Sequence, residues 1–160
     1  MTVVTDTTPL NYLVLIGQVD ILPQLFTRVL VPEAVMAELR HPQAPTPVRN
    51  WALNPLPQWL EIREPRALES ALEFLGSGER AAIALALETS ADALLIDERT
   101  GRQEAERRRL RVVGTLAALE EASRRGLLDF GTALAQLRQT SFRVSPGILK
   151  ALVQLHRPKD

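Results

Sequence analysis

The sequence predicts a three-layer α/β/α sandwich with a mainly parallel sheet of four to five short strands, followed by C-terminal helices. Short, continuous apolar runs alternate with helical segments over residues 2–126, a pattern typical of a parallel sheet covered on both faces. Segment 77–88 is apolar on nearly every side, which indicates a helix buried between the sheet and another helix. After Leu127 the patterns are helical only.

The first half of the chain alternates strands and helices between clear stop signals. The predicted elements are strand 2–5, helix 9–16, helical turn 21–26, strand 28–31, helix 33–40, edge strand 59–62 and helix 66–75. Gly17 would end the first helix, Asp20 would cap the turn, and Pro32 would open the next helix in the favoured first position. The proline-rich stretch 42–57 is either a surface excursion or a short helix over 46–53.

The second half repeats the alternation and then becomes helical. The predicted elements are helix 77–88 capped by Ser77, strand 93–96, helix 99–109, strand 111–113, and helices 115–125, 130–139 and 145–155. We expect residues 1–126 to form the main domain and 127–160 to be a helical extension of it.

Composition excludes several classes of site. The 160 residues include no cysteine and two histidines, so thiolate or histidine metal sites and cysteine nucleophiles are not expected. Nineteen basic residues balance nineteen acidic ones, so a nucleic-acid partner needs a local basic patch. Without a signal peptide or a long apolar run, we expect a cytoplasmic protein with no membrane partner.

Two predicted strands end directly in an aspartate, Asp6 and Asp97. Sites in open parallel sheets form outside the carboxyl ends of the strands, so neighbouring strands would bring both carboxylates to one edge. The alternative is that each aspartate only caps a helix or forms a turn.

Two helical acids could join them. Glu38 flanks the apolar stripe of its helix, and Glu79 lies in the first turn of the most buried helix; otherwise they would be a boundary glutamate and a partner of the helix dipole. Four carboxylates without histidine or cysteine form a hard-oxygen site, which favours Mg²⁺ or Mn²⁺ and phosphodiester hydrolysis.

Five segments resemble, in order, the PIN-domain family, the nuclease fold of VapC-type toxins, and especially its DUF3368-type branch. They are 3–10, 31–39, 75–85, 94–102 and 112–116. The resemblance implies a Mg²⁺- or Mn²⁺-dependent endoribonuclease, the toxin of a VapBC-type toxin–antitoxin pair. It also implies RNA, a small antitoxin protein and a second copy of the chain as partners.

The resemblance also assigns site residues. Those expected at the family's catalytic, metal-binding acids are Asp6, Glu38, Glu79 and Asp97. Polar neighbours of the first acid would be Thr7, Thr8 and Asn11. Many members carry a further acid shortly after the fourth strand, where this chain has 99–102; Glu98 or the Thr115 hydroxyl would substitute.

Six arginines fall between residues 99 and 111. They form either a solvated helix with weak ion pairs, for example among Arg102, Glu106 and Arg109, or a phosphate-binding patch at Arg99 and Arg102. No aromatic residue accompanies them in the sequence, so base stacking is not predicted.

Two functional alternatives remain open. One is a catalytically degenerate PIN-like binding or regulatory module, and the other is a different metal-dependent phosphohydrolase. The apolar residues Leu13, Val14 and Ile16 of the first helix, with Trp51 and Trp59, form either core or a partner surface.

Overall fold

The computed structural model describes residues 1–156, and at its centre is a five-stranded parallel sheet. The strands are β1 (Thr2–Thr5), β2 (Arg28–Val31), β3 (Leu60–Ile62), β4 (Ala93–Leu95) and β5 (Val112–Val113). Their order is β3-β2-β1-β4-β5. The predicted α/β class with a parallel sheet of short strands is confirmed.

The direction of chain crossover reverses at the middle of this sheet. From β1 the chain builds β2 and β3 on one side, and it then returns to place β4 and β5 on the other. The crevice at such a reversal lies outside the carboxyl ends of the two central strands, here β1 and β4, and is where open α/β sheets bind ligands.

Nine α-helices lie among the described residues. They are α1 (Thr7–Leu15), α2 (Leu22–Leu25), α3 (Glu33–Leu39), α4 (Thr46–Leu53), α5 (Ser77–Glu88), α6 (Arg99–Arg107), α7 (Thr115–Arg124), α8 (Phe130–Arg138) and α9 (Pro146–Leu155). The short helix over 46–53 is therefore the correct alternative for the proline-rich stretch.

Alternate residues of each strand face two separate hydrophobic cores, as the two-residue period of a strand requires. In β1, Val3 packs with α1, α3, α7 and α8, whereas Val4 packs with α5 and α6 on the opposite face. Because both faces are covered, the strands are continuous apolar runs and the architecture has three layers.

The predicted helix over 66–75 is wrong: this segment contains only a 3₁₀ turn, Ser70–Leu72. Leu72 and Leu75 alone are buried there, so no apolar stripe anchors a helix. Two predicted caps are also wrong. Gly76, not Ser77, precedes α5, and Asp20 lies inside a 3₁₀ turn, Val19–Ile21, instead of capping it.

The first helix and the C-terminal helices share the larger core. Leu13 and Ile16 are buried, and Trp51 and Trp59 pack partly buried against the same cluster, so core packing accounts for these residues. Phe130 and other residues of α8 join this cluster too. The last four residues of the predicted extension 127–160 lie outside the described residues.

No helix among residues 1–156 is both long and apolar enough to cross a membrane.

We expect Leu95→Ala to lower the free energy of unfolding by about 2–5 kcal/mol, because Leu95 is fully buried in the interior strand β4. Urea unfolding followed by circular dichroism measures the change. Leu53→Ala is the matched control, since Leu53 of α4 is 62% exposed, and its effect should stay within about 0.5 kcal/mol. Equal effects at the two positions would contradict the assigned core.

Candidate metal centre

Asp6 and Asp97 meet where the crossover direction reverses. Parallel pairing aligns Thr5 with Leu95, and the Asp6 N–H extends the ladder by donating to the Leu95 carbonyl oxygen at 2.9 Å. Asp6 is 2% exposed, and its side chain makes no capping hydrogen bond to α1. The helix-cap interpretation therefore does not explain why a carboxylate is buried here.

Asp97 is held by the start of α7. The Thr115 N–H donates to Asp97 Oδ1 at 2.8 Å, and the Thr115 hydroxyl donates to Oδ2 at 2.6 Å. A Cβ at the preceding Gly114 would lie 2.7 Å from Arg102 Nη1 and 3.1 Å from Asp97 Oδ1. The glycine therefore lets the Arg102 guanidinium approach Asp97.

Glu38 reaches the same edge from α3, which packs against α5. Its Oε1 accepts a 2.9 Å hydrogen bond from the Gly78 N–H, and its Oε2 accepts one from the Thr7 hydroxyl. A Cβ at Gly78 would lie only 2.7 Å from Oε1, so glycine is required for this approach. Although Glu38 is solvent-exposed, its carboxylate points toward the sheet edge.

Glu79 and Glu98 form a close acidic pair. A Cβ at Gly101 would lie 3.0 Å from Glu79 Oε2 and 3.5 Å from Glu98 Oε2. Both carboxylates therefore lie next to Gly101 and close to each other. Glu98 caps α6 by accepting the Gly101 N–H at 2.7 Å. We refer to Asp6, Glu38, Glu79, Asp97 and Glu98 together as the acidic edge.

Burial and mutual repulsion perturb these carboxylates. Burial raises the pKa of Asp6 to about 7, against a weaker lowering by the Thr7 N–H, and Glu79, Glu38 and Asp97 raise it further. Burial also raises the pKa of Asp97, although hydrogen bonds from Thr115 and the nearby Arg102 charge oppose this shift.

The pKa values of the two paired glutamates shift in opposite directions. Burial, followed by repulsion from Glu98, raises the pKa of Glu79 to about 7. The Gly101 N–H is the main cause that lowers the pKa of Glu98, and a hydrogen bond with Glu79 adds to it. Glu79 is therefore the member of the pair that takes up a proton more readily.

The donor chemistry fits a hard divalent cation. Asp6 Oδ1 is buried and has no hydrogen-bond partner among the described residues, so its lone pairs are available to a ligand. A divalent cation would also offset the repulsion that raises these pKa values. Oxygen ligands of this kind suit Mg²⁺ or Mn²⁺.

The acids are not gathered as a chelating set. Within residues 1–156, no three histidine, cysteine, aspartate or glutamate side chains are placed so that they could hold one metal ion. The physical reason is that the like charges repel, and several of the carboxylates turn toward protein donors, namely Thr115, Gly78 and Gly101. Metal binding would require some of these side chains to turn toward Asp6.

The other predicted site residues differ in whether they contact the acids. Thr7 and Thr115 each hold an acid, whereas Thr8 and Asn11 are half-buried and make no side-chain hydrogen bond within residues 1–156. Arg99 is exposed at the start of α6. Arg102 reaches back over the edge and donates to the Ile96 carbonyl oxygen at 3.4 Å.

The predicted ion pairing along α6 needs correction. Glu104 pairs with both Arg107 and Arg108, and Arg108 also pairs with Glu69. No pair joins Arg102, Glu106 and Arg109 among the described residues, because Arg102 is turned toward Asp97 and α6 ends at Arg107, before Arg109.

The fold and the comparison with protein families together define the class of this protein. Residues 2–157 match the model of the DUF3368 family, which is described as a PIN domain. The chain therefore belongs to the PIN-domain family, whose fold is of the nuclease type and whose members typically use divalent metals. A comparison with proteins of curated function finds no match.

We expect Asp6→Asn to stabilise the metal-free protein at pH 8 and to leave it unchanged near pH 4. The folded-state pKa of Asp6 is about 7, above the ordinary 3.8, so the contribution of its protonated form to stability is lost as the pH rises between these values. The melting temperature at pH 8 should rise by at least about 2–4 °C in EDTA.

Asp20→Asn is the control, since Asp20 is exposed and lies beyond the C-terminal end of α1, whereas Asp6 precedes the N-terminal end of that helix. A shift in melting temperature for Asp6→Asn that is the same at pH 4 and pH 8 would contradict a buried, charge-destabilised carboxylate.

Proposed function

We propose that this protein is a Mg²⁺- or Mn²⁺-dependent endoribonuclease and the toxin component of a VapBC-type toxin–antitoxin pair. The observation that carries the hydrolytic part is the buried, unpartnered Asp6 oxygen among Glu38, Glu79 and Asp97 at the crossover reversal. RNA as substrate, a small antitoxin, a second copy of the chain as partner and a cytoplasmic location are supported by the resemblance to VapC-type toxins.

The acidic edge has a defined role for each residue in this proposal. Asp6, Glu38, Glu79 and Asp97 would hold the cation, and Glu98 or Thr115 would complete its surroundings. When bound, a Mg²⁺ or Mn²⁺ ion supplies a Lewis acid that lowers the pKa of water and neutralises charge at the phosphodiester. Thr115 keeps Asp97 oriented through two hydrogen bonds.

Side chains of the protein would accept the proton and position the substrate. A carboxylate of the acidic edge that does not hold the cation would accept the proton of the attacking water as the general base. Arg102 lies beside Asp97 and would bind a substrate phosphate, with Arg99 exposed on the same helix end.

One observation favours a second candidate, a catalytically degenerate PIN-like binding module. The acids within residues 1–156 form no group of three that could hold a metal. If the carboxylates cannot leave their present hydrogen bonds, the edge would bind neither cation nor scissile phosphate.

Cleavage of a structured RNA in Mn²⁺ separates the two functions. We expect Asp6→Asn and Asp97→Asn each to lower the cleavage rate by at least about 100-fold, since each removes a negative ligand from the site. Asp20→Asn should cleave like the unmodified protein. Equal, metal-independent background from all four proteins would rule out the nuclease.

Metal binding has a readout that does not depend on cleavage. Mn²⁺ at about 100 times its dissociation constant should raise the melting temperature by about 5–10 °C, which corresponds to about 2.7 kcal/mol of stabilisation. Glu38→Gln should abolish most of this rise. Glu33→Gln on the same helix should retain it, because Glu33 is half exposed and pairs with Arg40, which is not part of the acidic edge.

A rise that Glu38→Gln leaves intact would remove Glu38 from the proposed ligands. No rise in the unmodified protein would favour the binding module.

A further inference from the structure

A cavity of about 290 Å³ opens beside the acidic edge, and most of its lining residues have no role in the proposed hydrolysis. Asp97 and Arg102 line it together with Val112 and Gly114 near the end of β5, and Phe142 and Ile148 belong to its wall. We call it the Phe142 cavity. Any group bound in it would therefore adjoin a phosphate held at Arg102.

One face of α7 borders the Phe142 cavity. Leu116, Ala117 and Glu120 all line it, and their spacings of three and four residues place them on a common helix face. Glu120 lies five residues beyond Thr115, which is about 7.5 Å along the helix axis. The cavity thus has the Arg102 guanidinium near Asp97, apolar side chains in its middle and the Glu120 carboxylate further along α7.

Glu120 differs from its neighbour in what it contacts. Glu121 pairs with Arg124 and Arg125, whereas Glu120 forms no ion pair or side-chain hydrogen bond within the described part of the chain. Glu120 is only partly exposed. A carboxylate in this position is available to accept hydrogen bonds from a ligand in the cavity.

Phe142 supplies the aromatic surface that the arginine-rich segment lacks in sequence. Its ring meets Tyr12 edge to face, with centroids 4.9 Å apart, and is thereby held in place. Phe142 also lines a neighbouring cavity that Arg138 and Arg143 border. An aromatic ring flanked by arginines is the arrangement that binds unpaired bases and their phosphates.

We infer that the Phe142 cavity is a base-binding subsite for a guanine in single-stranded RNA, next to the cleaved phosphodiester. This inference rests on the proposed nuclease function. Arg102 would hold the phosphate, Phe142 would stack on the base, and Glu120 would accept hydrogen bonds from its edge.

The carboxylate determines which base fits. Guanine presents two adjacent donors, N1–H and the N2 amino group, and both can bond to one carboxylate. Uracil presents a single N–H between two carbonyl oxygens, which the Glu120 charge would repel. A carboxylate placed to accept both donors of guanine disfavours any base that leaves its oxygens without hydrogen bonds.

Fluorescence anisotropy with two labelled heptamers, UUUGUUU and UUUUUUU, tests the subsite in EDTA, where binding is measured apart from cleavage. The unmodified protein should prefer the guanine heptamer by about 5- to 100-fold, the range expected for one bidentate pair. Glu120→Gln should reduce the preference to about twofold or less, because the charge and one acceptor are lost. Glu121→Gln, the adjacent control, should keep the full preference.

Phe142→Leu should weaken binding of the guanine heptamer by about 5- to 100-fold through lost stacking, with thermal unfolding as the check that the variant is folded. Binding of both heptamers without preference, alongside Mn²⁺-dependent cleavage of structured RNA, would overturn the subsite and leave the nuclease standing. Absence of both RNA binding and cleavage would overturn the proposed function and the subsite with it.

Discussion

The burial of the Asp6 carboxylate between β1 and β4 is the constraint on which the whole edge depends. An aspartate that is 2% exposed, with one oxygen lacking any partner among the described residues, is unfavourable unless a cation or a proton compensates its charge. Other acids reach the same edge and make this requirement stronger. Thr115 holds Asp97 there, and Gly78 holds Glu38, so the crowding follows from specific contacts.

Much of this arrangement follows from local sequence pattern. Asp6 and Asp97 could be predicted because each ends a short buried strand, and parallel strands bring such residues to one edge. Glu38 and Glu79 could be proposed as site residues from their positions on a helix flank and in a first helical turn. The helix over 66–75 could not be judged correctly, because a propensity for helix does not reveal that only Leu72 and Leu75 find a core.

The orientation of the side chains could not be predicted, since it depends on partners distant in sequence. Glu38 bonds to Gly78, which is 40 residues away, and Thr115 bonds to Asp97 over 18 residues. Phe142 lies in the connection between α8 and α9, yet it lines the same cavity as Arg102. The sequence patterns indicate only that residues after Leu127 form a helical extension. They do not reveal that this extension lines a cavity beside the site.

The order of the strands determines when the site can form during synthesis. β1 pairs with β4, and the Thr2 N–H bonds to Asp92 across 90 residues, so the first strand lacks one of its two neighbours until residues 93–95 have left the ribosome. Asp97 acquires its orientation later still, when Thr115 emerges. A nascent chain from which Thr115 has not yet emerged thus lacks a completed acidic edge, so the carboxylates cannot act together before that point of synthesis.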